Sequence, residues 1–512
     1  MGQLLTTVAI EPTTAVLKFK FVFVAIFLLL ASQISKCFLI SSGNSVRFTN
    51  GLEPELQYSD DQIETHRKRS SFSNQGRVLL LFRGVLTTEI RIAEFMAVAE
   101  KELGKQAALK LTFSSAVTSE SSGTGFMYHD ILNNHCSMSD TLLFTDGFPS
   151  WEAAKRIVSQ CMLVKAVFVI WAQGKTYLEC SEKAGALWTE DGPQHLQLLS
   201  DFLPKDDGSS NTWAVEISPF TVGPDLRPSS QTAVKRGSSS RAMVKKIDTF
   251  AELLDRFPGD VRLNSPDLSL VLIEEYSNKG IKDRDLQQIT LAQRIAKGAE
   301  DRLPKFSLST RAFVGRTSMK PRMAFVMANL VGISTGYKVL DPFVGSGSLL
   351  LSAAALGATD LAGVDIDPEM VKIGSEAGCP GMGASFFQQG LPAPALLLNG
   401  NAGSQEIVEQ LEAFGPFDAI ITDPPYGKRE GGVHSIKDDL TEDAFETIIK
   451  LCLNDQILKV GGKACFMLPL FESEEKCRNA FTAYEILRLK EVLSDQVNSD
   501  LHRWIVLIEK QI

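Results

Sequence analysis

Five short apolar runs recur toward the C-terminus, at residues 337–341, 361–365, 417–422, 463–468 and 504–509. The stretches between them are long enough to carry helices, and the first run leads through a glycine turn into an Ala/Leu-rich helix reaching about residue 356. That alternation is the rhythm of a doubly wound, Rossmann-like α/β sheet. It limits where chemistry can sit, because such a sheet binds ligands at the carboxyl ends of its strands. The sequence shows no internal repeat.

Ahead of this region the pattern is less regular. Residues 78–82 form a strand-like run, and residues 90–103 have helical spacing, with Ile92, Phe95, Met96 and Val98 on or near one face. Residues 166–171, 213–217 and 268–273 read as strands, 183–187 as the start of a helix, 207–211 as a loop and 247–255 as a helix. Strands and helices interleave here without a glycine-rich nucleotide loop, which predicts an α+β recognition unit. At 512 residues the chain has room for roughly three domains. The expected division is a targeting-like segment and linker at 1–75, an α+β ferredoxin-like domain at 76–150, a recognition domain at 151–277, a linker at 278–310 and a catalytic domain at 311–512.

At the N-terminus Lys18 and Lys20 precede an apolar run at 21–31. It is short of the roughly 20 residues that span a bilayer, and it suits the core of a signal peptide. Residues 32–52 hold no acid but are rich in serine, with Lys36 and Arg47, so the two parts together resemble a bipartite plastid-type address. The other reading is a buried extension without a targeting role. The formal net charge of −9 excludes a bulk-basic nucleic-acid binder, so such contact has to come from local patches. The strongest is Lys235, Arg236, Arg241, Lys245 and Lys246; a solvated charged loop is its plain alternative. The eight cysteines form no C-x-x-C pair, which argues for reduced thiols and against a metal site in this chain.

Two constellations carry the chemistry. In Asp341-Pro342-Phe343-Val344-Gly345-Ser346-Gly347-Ser348 a strand ends and two glycines turn the backbone into a helix N-terminus. Asp365 ends the next run, where a carboxylate can accept both hydroxyls of a ribose. A Gly-x-Gly turn without a ligand is the plain alternative. Leu350 stands where a dinucleotide fingerprint wants a third small residue, which favours a ligand with ribose and adenine but no pyrophosphate. In Ile420-Ile421-Thr422-Asp423-Pro424-Pro425-Tyr426-Gly427 an apolar strand delivers an acid, two prolines and an aromatic ring. An Asp423 oxygen and the Pro424 carbonyl are two acceptors for the N–H bonds of an exocyclic amine, whose delocalised lone pair makes it a poor nucleophile. Tyr426 can stack on the base. The two features on one sheet imply S-adenosyl-L-methionine meeting an aminopurine or aminopyrimidine.

At these residues the sequence resembles the amino-group methyltransferases with an Asp-Pro-Pro-Tyr motif, and most of all the eukaryotic and archaeal THUMP-domain tRNA (guanine(10)-N2)-methyltransferases. The resemblance covers residues 77–512 and rests also on 313–319, 327–329, 294–298, 264–267 with 273–276, and 79–82 with 91–94. It implies a THUMP-like RNA-binding domain at 151–277, a methyltransferase domain at 311–512 and methylation of a guanine N2 in tRNA. It further implies cofactor contacts from Thr317, Ser318, Asp341, Gly345, Gly347, Asp365 and Asn401, and a small zinc-binding activator subunit as a partner of the eukaryotic members. Location follows as cytoplasmic by resemblance, or an organelle if the signal-like segment is genuine. Departures are Lys320 for an acid, Lys428 for an aliphatic residue, Asn401 for an Asp and Ser346 for a Thr. The motifs leave open another tRNA guanine, ribosomal RNA or DNA adenine as target, and a non-catalytic RNA-binding protein of the same fold.

Overall fold

Alternation along the N-terminal strands buries both faces of one broad sheet. The computed structural model describes residues 77–115, 126–127, 141–189, 192–193, 211–222, 240–257, 259–277, 286–315, 318–374, 381–425, 437–469, 473–496 and 502–512. The targeting-like segment, Thr317, Tyr426, Lys235 and Arg236 lie outside them, as do most of the 207–211 loop and residues 223–239. The first strands are β1 (Val78–Phe82), β2 (Thr112–Ser115), β3 (Phe126–Met127), β4 (Leu142–Asp146) and β5 (Val164–Gly174). A separate two-stranded hairpin holds β6 (Trp188–Thr189) and β7 (Gly192–Pro193). Then come β8 (Thr212–Val222), β9 (Asp260–Val261), β10 (Leu268–Ser277) and β11 (Leu286–Lys297). Nine of these form a single sheet in the order β3-β2-β4-β1-β5-β11-β10-β8-β9. Val78, Leu80 and Phe82 face the core beneath helix α1 (Thr88–Leu103), while Leu79 and Leu81 join Phe144, Phe168, Val271 and Ile273 on the other side.

The stretches expected as two domains, 76–150 and 151–277, share this sheet through the pairing of β1 with both β4 and β5. The stretch expected as a linker contains β11, which pairs with β5 and β10. Two helices also differ from expectation. Instead of starting at 183, α2 (Tyr177–Gly185) starts at Thr176, whose hydroxyl accepts from the Glu179 amide at 3.1 Å. The single helix expected at 247–255 is α3 (Ser240–Asp248) and a short turn of helix, Ala251–Leu254, separated by a turn at Thr249 and buried Phe250.

The C-terminal sheet contains β12 (Lys338–Asp341), β13 (Asp360–Asp365), β14 (Leu396–Asn399), β15 (Phe417–Thr422), β16 (Leu458–Leu468), β17 (Leu487–Gln496) and β18 (His502–Lys510). Their order is β14-β13-β12-β15-β16-β18-β17. The first five positions run parallel and β18 is antiparallel to both neighbours. The expected doubly wound sheet is therefore present, with β14 and β17 added. Four residues are too few for β14 to show a pattern, and Arg488, Lys490 and Glu491 obscure the apolar positions of β17. Helix α4 (Pro321–Leu330) precedes β12, and α5 (Ser348–Ala355) follows the glycine turn.

One buried carboxylate clasps the two sheets' supporting helices together. Glu94 of α1 is fully buried. It accepts from the Met162 amide at 2.7 Å, the Leu163 amide at 2.8 Å and the Asn329 side-chain amide of α4 at 2.7 Å. Asn329 also donates to the Gln160 carbonyl at 3.0 Å. Lys101 adds a bond to the Ile333 carbonyl at 3.0 Å. Desolvation pushes the Glu94 carboxyl up to about 7 against the bonds from Met162, Asn329 and Leu163, which pull it down. A proton held more tightly in the folded chain favours folding at low pH, and that contribution disappears as pH rises through the folded value. The stability advantage of the wild-type chain over Glu94→Gln, read from urea midpoints, should therefore shrink as pH rises from about 4.5 to about 7. An advantage that grows over that window contradicts the assignment.

Candidate active site

Three acids stand at the carboxyl ends of three neighbouring strands. Asp341 closes β12, Asp365 closes β13 and Asp423 follows β15, and β12 lies between the other two. Here the strand order reverses, because the chain leaves β12 first to one side and later to the other, and such a switch point opens a crevice. Asp341 is buried; its Oδ1 accepts from the Thr422 hydroxyl at 2.7 Å and from the Phe343 amide at 3.1 Å. Burial pushes its carboxyl up to about 7; the two bonds oppose that, and the charges of Asp365 and Asp423 add to it. Asp341 therefore ties β12 to β15, and it lies close enough to Asp365 and Asp423 for their charges to act on it. Asp423 is half-buried and Pro424 buried.

The glycine turn is held by the neighbouring strand. Asp365 Oδ2 accepts from the Gly345 amide at 2.8 Å, and its Oδ1 accepts from the Asp367 amide at 2.9 Å. Gly345 and Gly347 have φ of +47° and +75°, the left-handed region that glycine enters without penalty. A Cβ on Gly347 would meet Met382 Sδ at 2.7 Å, so that glycine also makes room for packing. A Cβ on Gly345 would meet nothing within 4 Å. The turn is thus supported from behind and open in front, which fits a ligand laid against its backbone. Ser318, expected at the cofactor, shares a 2.7 Å hydrogen bond with Ser346 of the turn and accepts from the Gly315 amide at 2.9 Å.

Sequence reasoning missed several residues here. Ile366 is 77% exposed directly after Asp365, an apolar side chain presented at the carboxyl end of β13. Its signal was present: an aliphatic residue out of place beyond the strand's acid. Asn399 at the end of β14 donates to the carbonyls of Asp365 and Ile366, both at 3.0 Å, and so fixes that strand end. Arg311 donates into the glycine turn from behind, and nothing local in the sequence marks it. Asp367 behaves as a cap, accepting from the Glu369 amide at 2.9 Å, although the chain beyond it makes a turn rather than a helix.

The remaining expected residues scatter. Asn401 is exposed just after β14, its Oδ1 accepting from the Gly403 amide at 2.9 Å. Arg241, Lys245 and Lys246 fall in α3, in the N-terminal region. Lys245 is exposed, whereas Lys246 donates to buried Glu274 at 2.6 Å. The Tyr177 and Tyr276 hydroxyls donate to the same carboxylate. The structure therefore spends the Lys246 charge internally.

Comparison with known proteins places these features in context. The family model of the RMKL-like methyltransferase domain matches residues 309–377, from just before Arg311 through the glycine turn and Asp365. The chain is 25% identical over 391 residues to tRNA (guanine(10)-N(2))-methyltransferase TRMT11 of Xenopus laevis, covering 71% of this chain and 75% of that protein. It is 26% identical over 397 residues to the Mus musculus protein of the same name, covering 71% and 78%. Among solved structures, TrmN from Thermus thermophilus aligns with a TM-score of 0.40 and 16% identity, over 85% of this chain and 99% of that one.

Proposed function

We propose that this chain, a relative of the tRNA (guanine(10)-N(2))-methyltransferases, is an S-adenosyl-L-methionine-dependent enzyme that methylates the exocyclic N2 amine of a guanine in tRNA. The observation that carries the reading is the placement of Asp365 and Asp423 on either side of Asp341 at the switch point of the C-terminal sheet. The cofactor supplies a methyl group already activated on a sulfonium.

The chain's own residues then have three tasks. Asp365, Ile366 and the Gly345–Gly347 turn hold the nucleoside end, with Ser318 and Thr317 on the side of the amino-acid end and Asn401 toward the base. Asp423 and the Pro424 carbonyl accept the two N–H bonds of the target amine, directing its lone pair toward the methyl group. Tyr426 stacks on the guanine, which has to leave its own stack to reach this depth. The N–C bond would form as the carbon–sulfur bond of the sulfonium breaks, with a neutral thioether leaving, and the cationic amine would pass a proton to Asp423 or to solvent.

In the N-terminal region, 76–277 serves as the RNA grip, with Lys235, Arg236, Arg241 and Lys245 as its phosphate contacts. Lys246, engaged by Glu274, has the weaker claim.

The test is to incubate the purified full chain with S-adenosylmethionine and unmodified tRNA, then map digested tRNA by mass spectrometry. The reaction is run alone and with a small zinc-binding activator subunit, the partner the family resemblance implies. N2-methylguanine at one tRNA position supports the reading. A methyl group on an adenine N6 or on another atom of the tRNA moves the target, and no transfer under either condition rejects the activity.

A further inference from the structure

We propose that Arg311 is a positioning residue: it locks the glycine turn from behind, and so sets how tightly the methyl donor is held rather than how fast the methyl group moves. The proposal rests on the reading of that turn as the cofactor cradle. Arg311 is 9% exposed and its guanidinium fork is spread over the turn. Nη1 donates to Ser348 Oγ at 2.8 Å, and Nη2 donates to Ser346 Oγ at 3.1 Å and to the Ser346 carbonyl. Nε donates to the Phe313 carbonyl at 3.0 Å.

These partners are all neutral. The small cavity beside the guanidinium is lined by Phe306, Pro321, Ala324, Phe325 and Leu351, which offer no acid either. Among the described residues no acid pairs with it; burying a cation without a counter-charge is costly, and desolvation draws the Arg311 pKa down to about 10. A structural strut would not need to be charged; a rigid, planar set of donors that spans four acceptors does need to be arginine.

What the fork spans identifies its role. Ser346 sits between the two left-handed glycines, Gly345 and Gly347, where the backbone has most freedom to leave its turn. Ser348 begins α5, so the guanidinium holds both the apex of the turn and its exit. Ser346 Oγ continues to Ser318 Oγ at 2.7 Å, and Ser318 donates to the Gly315 carbonyl at 3.1 Å. Arg311 and Ser318 together thus tie residues 311, 313, 315 and 318 to the turn whose open front fits the cofactor. Asp365 pins the same turn at Gly345 from the neighbouring strand.

The experiment uses Arg311→Lys in the full chain, which keeps the charge and loses the fork. Calorimetry should show the Kd for S-adenosylmethionine raised about tenfold or more, as expected for losing hydrogen bonds from a charged donor. Amide exchange at 345–347 in cofactor-free protein should quicken, while tRNA affinity and kcat at saturating cofactor stay within about twofold, because the turn re-forms once the cofactor is bound. If Arg311→Lys does not fold, Ser346→Ala with Ser348→Ala removes the two hydroxyl acceptors and should shift the Kd in the same direction. A wild-type Kd and unchanged exchange in a folded variant overturn the proposal, as does a loss confined to kcat or to tRNA binding. A wild-type chain that binds no S-adenosylmethionine overturns the cradle reading beneath it.

Discussion

Asp423→Asn should lose at least about a hundredfold in single-turnover methyl transfer, the scale of removing one electrostatic contact to a developing charge. The change keeps the side chain's size and sits after β15, whose hydrogen bonds to β12 and β16 it does not disturb. It removes a negative charge and can turn an N–H donor toward the amine's own N–H donors. Binding of S-adenosylmethionine, measured by calorimetry, should stay within about threefold, because the acids assigned to the cofactor are untouched. Loss of cofactor affinity in step with rate would move Asp423 to the other side of the crevice, and a wild-type rate would remove it from the chemistry.

Asp365→Ala should act on the opposite half of the site. Its carboxylate fixes the Gly345 and Asp367 amides, and it is also the proposed acceptor for the ribose hydroxyls. Each hydrogen bond to a charged group contributes about 1.5–3 kcal/mol. Losing the ribose contacts and loosening the turn together should raise the cofactor Kd about a hundredfold or more. Affinity for tRNA, measured by filter binding, should be unchanged. Cofactor affinity near wild type would leave the glycine turn without its supposed ligand.

The C-terminal half of this protein was readable in its sequence because parallel strands buried on both faces appear as unbroken apolar runs. The acids that end β12 and β13 and follow β15 mark the strand ends where chemistry gathers. The N-terminal sheet was less readable. In β11 Ile289 and Leu291 face one side and Thr290 and Ala292 the other, so the strand resembles a polar connector until β5 and β10 flank it. Glu94 and Arg311 could not have been found locally. A glutamate in an amphipathic helix reads as solvated, and its partners Met162, Leu163 and Asn329 all lie far along the chain. Arg311 gains its meaning from Ser346 and Ser348, which fold back onto it.

The Glu94 clasp has a consequence for choosing one nucleotide among many. Through it, α1 beneath the N-terminal sheet and α4 ahead of the glycine turn share a single buried carboxylate, with Lys101 as a second tether. If the N-terminal region is the RNA grip proposed above, grip and chemistry are cast in one block, like the fixed jaws of a gauge. A gauge does not bend to its workpiece, so in this protein target choice would belong to the nucleic acid: the guanine modified is the one that a folded tRNA brings to the right span from its held end.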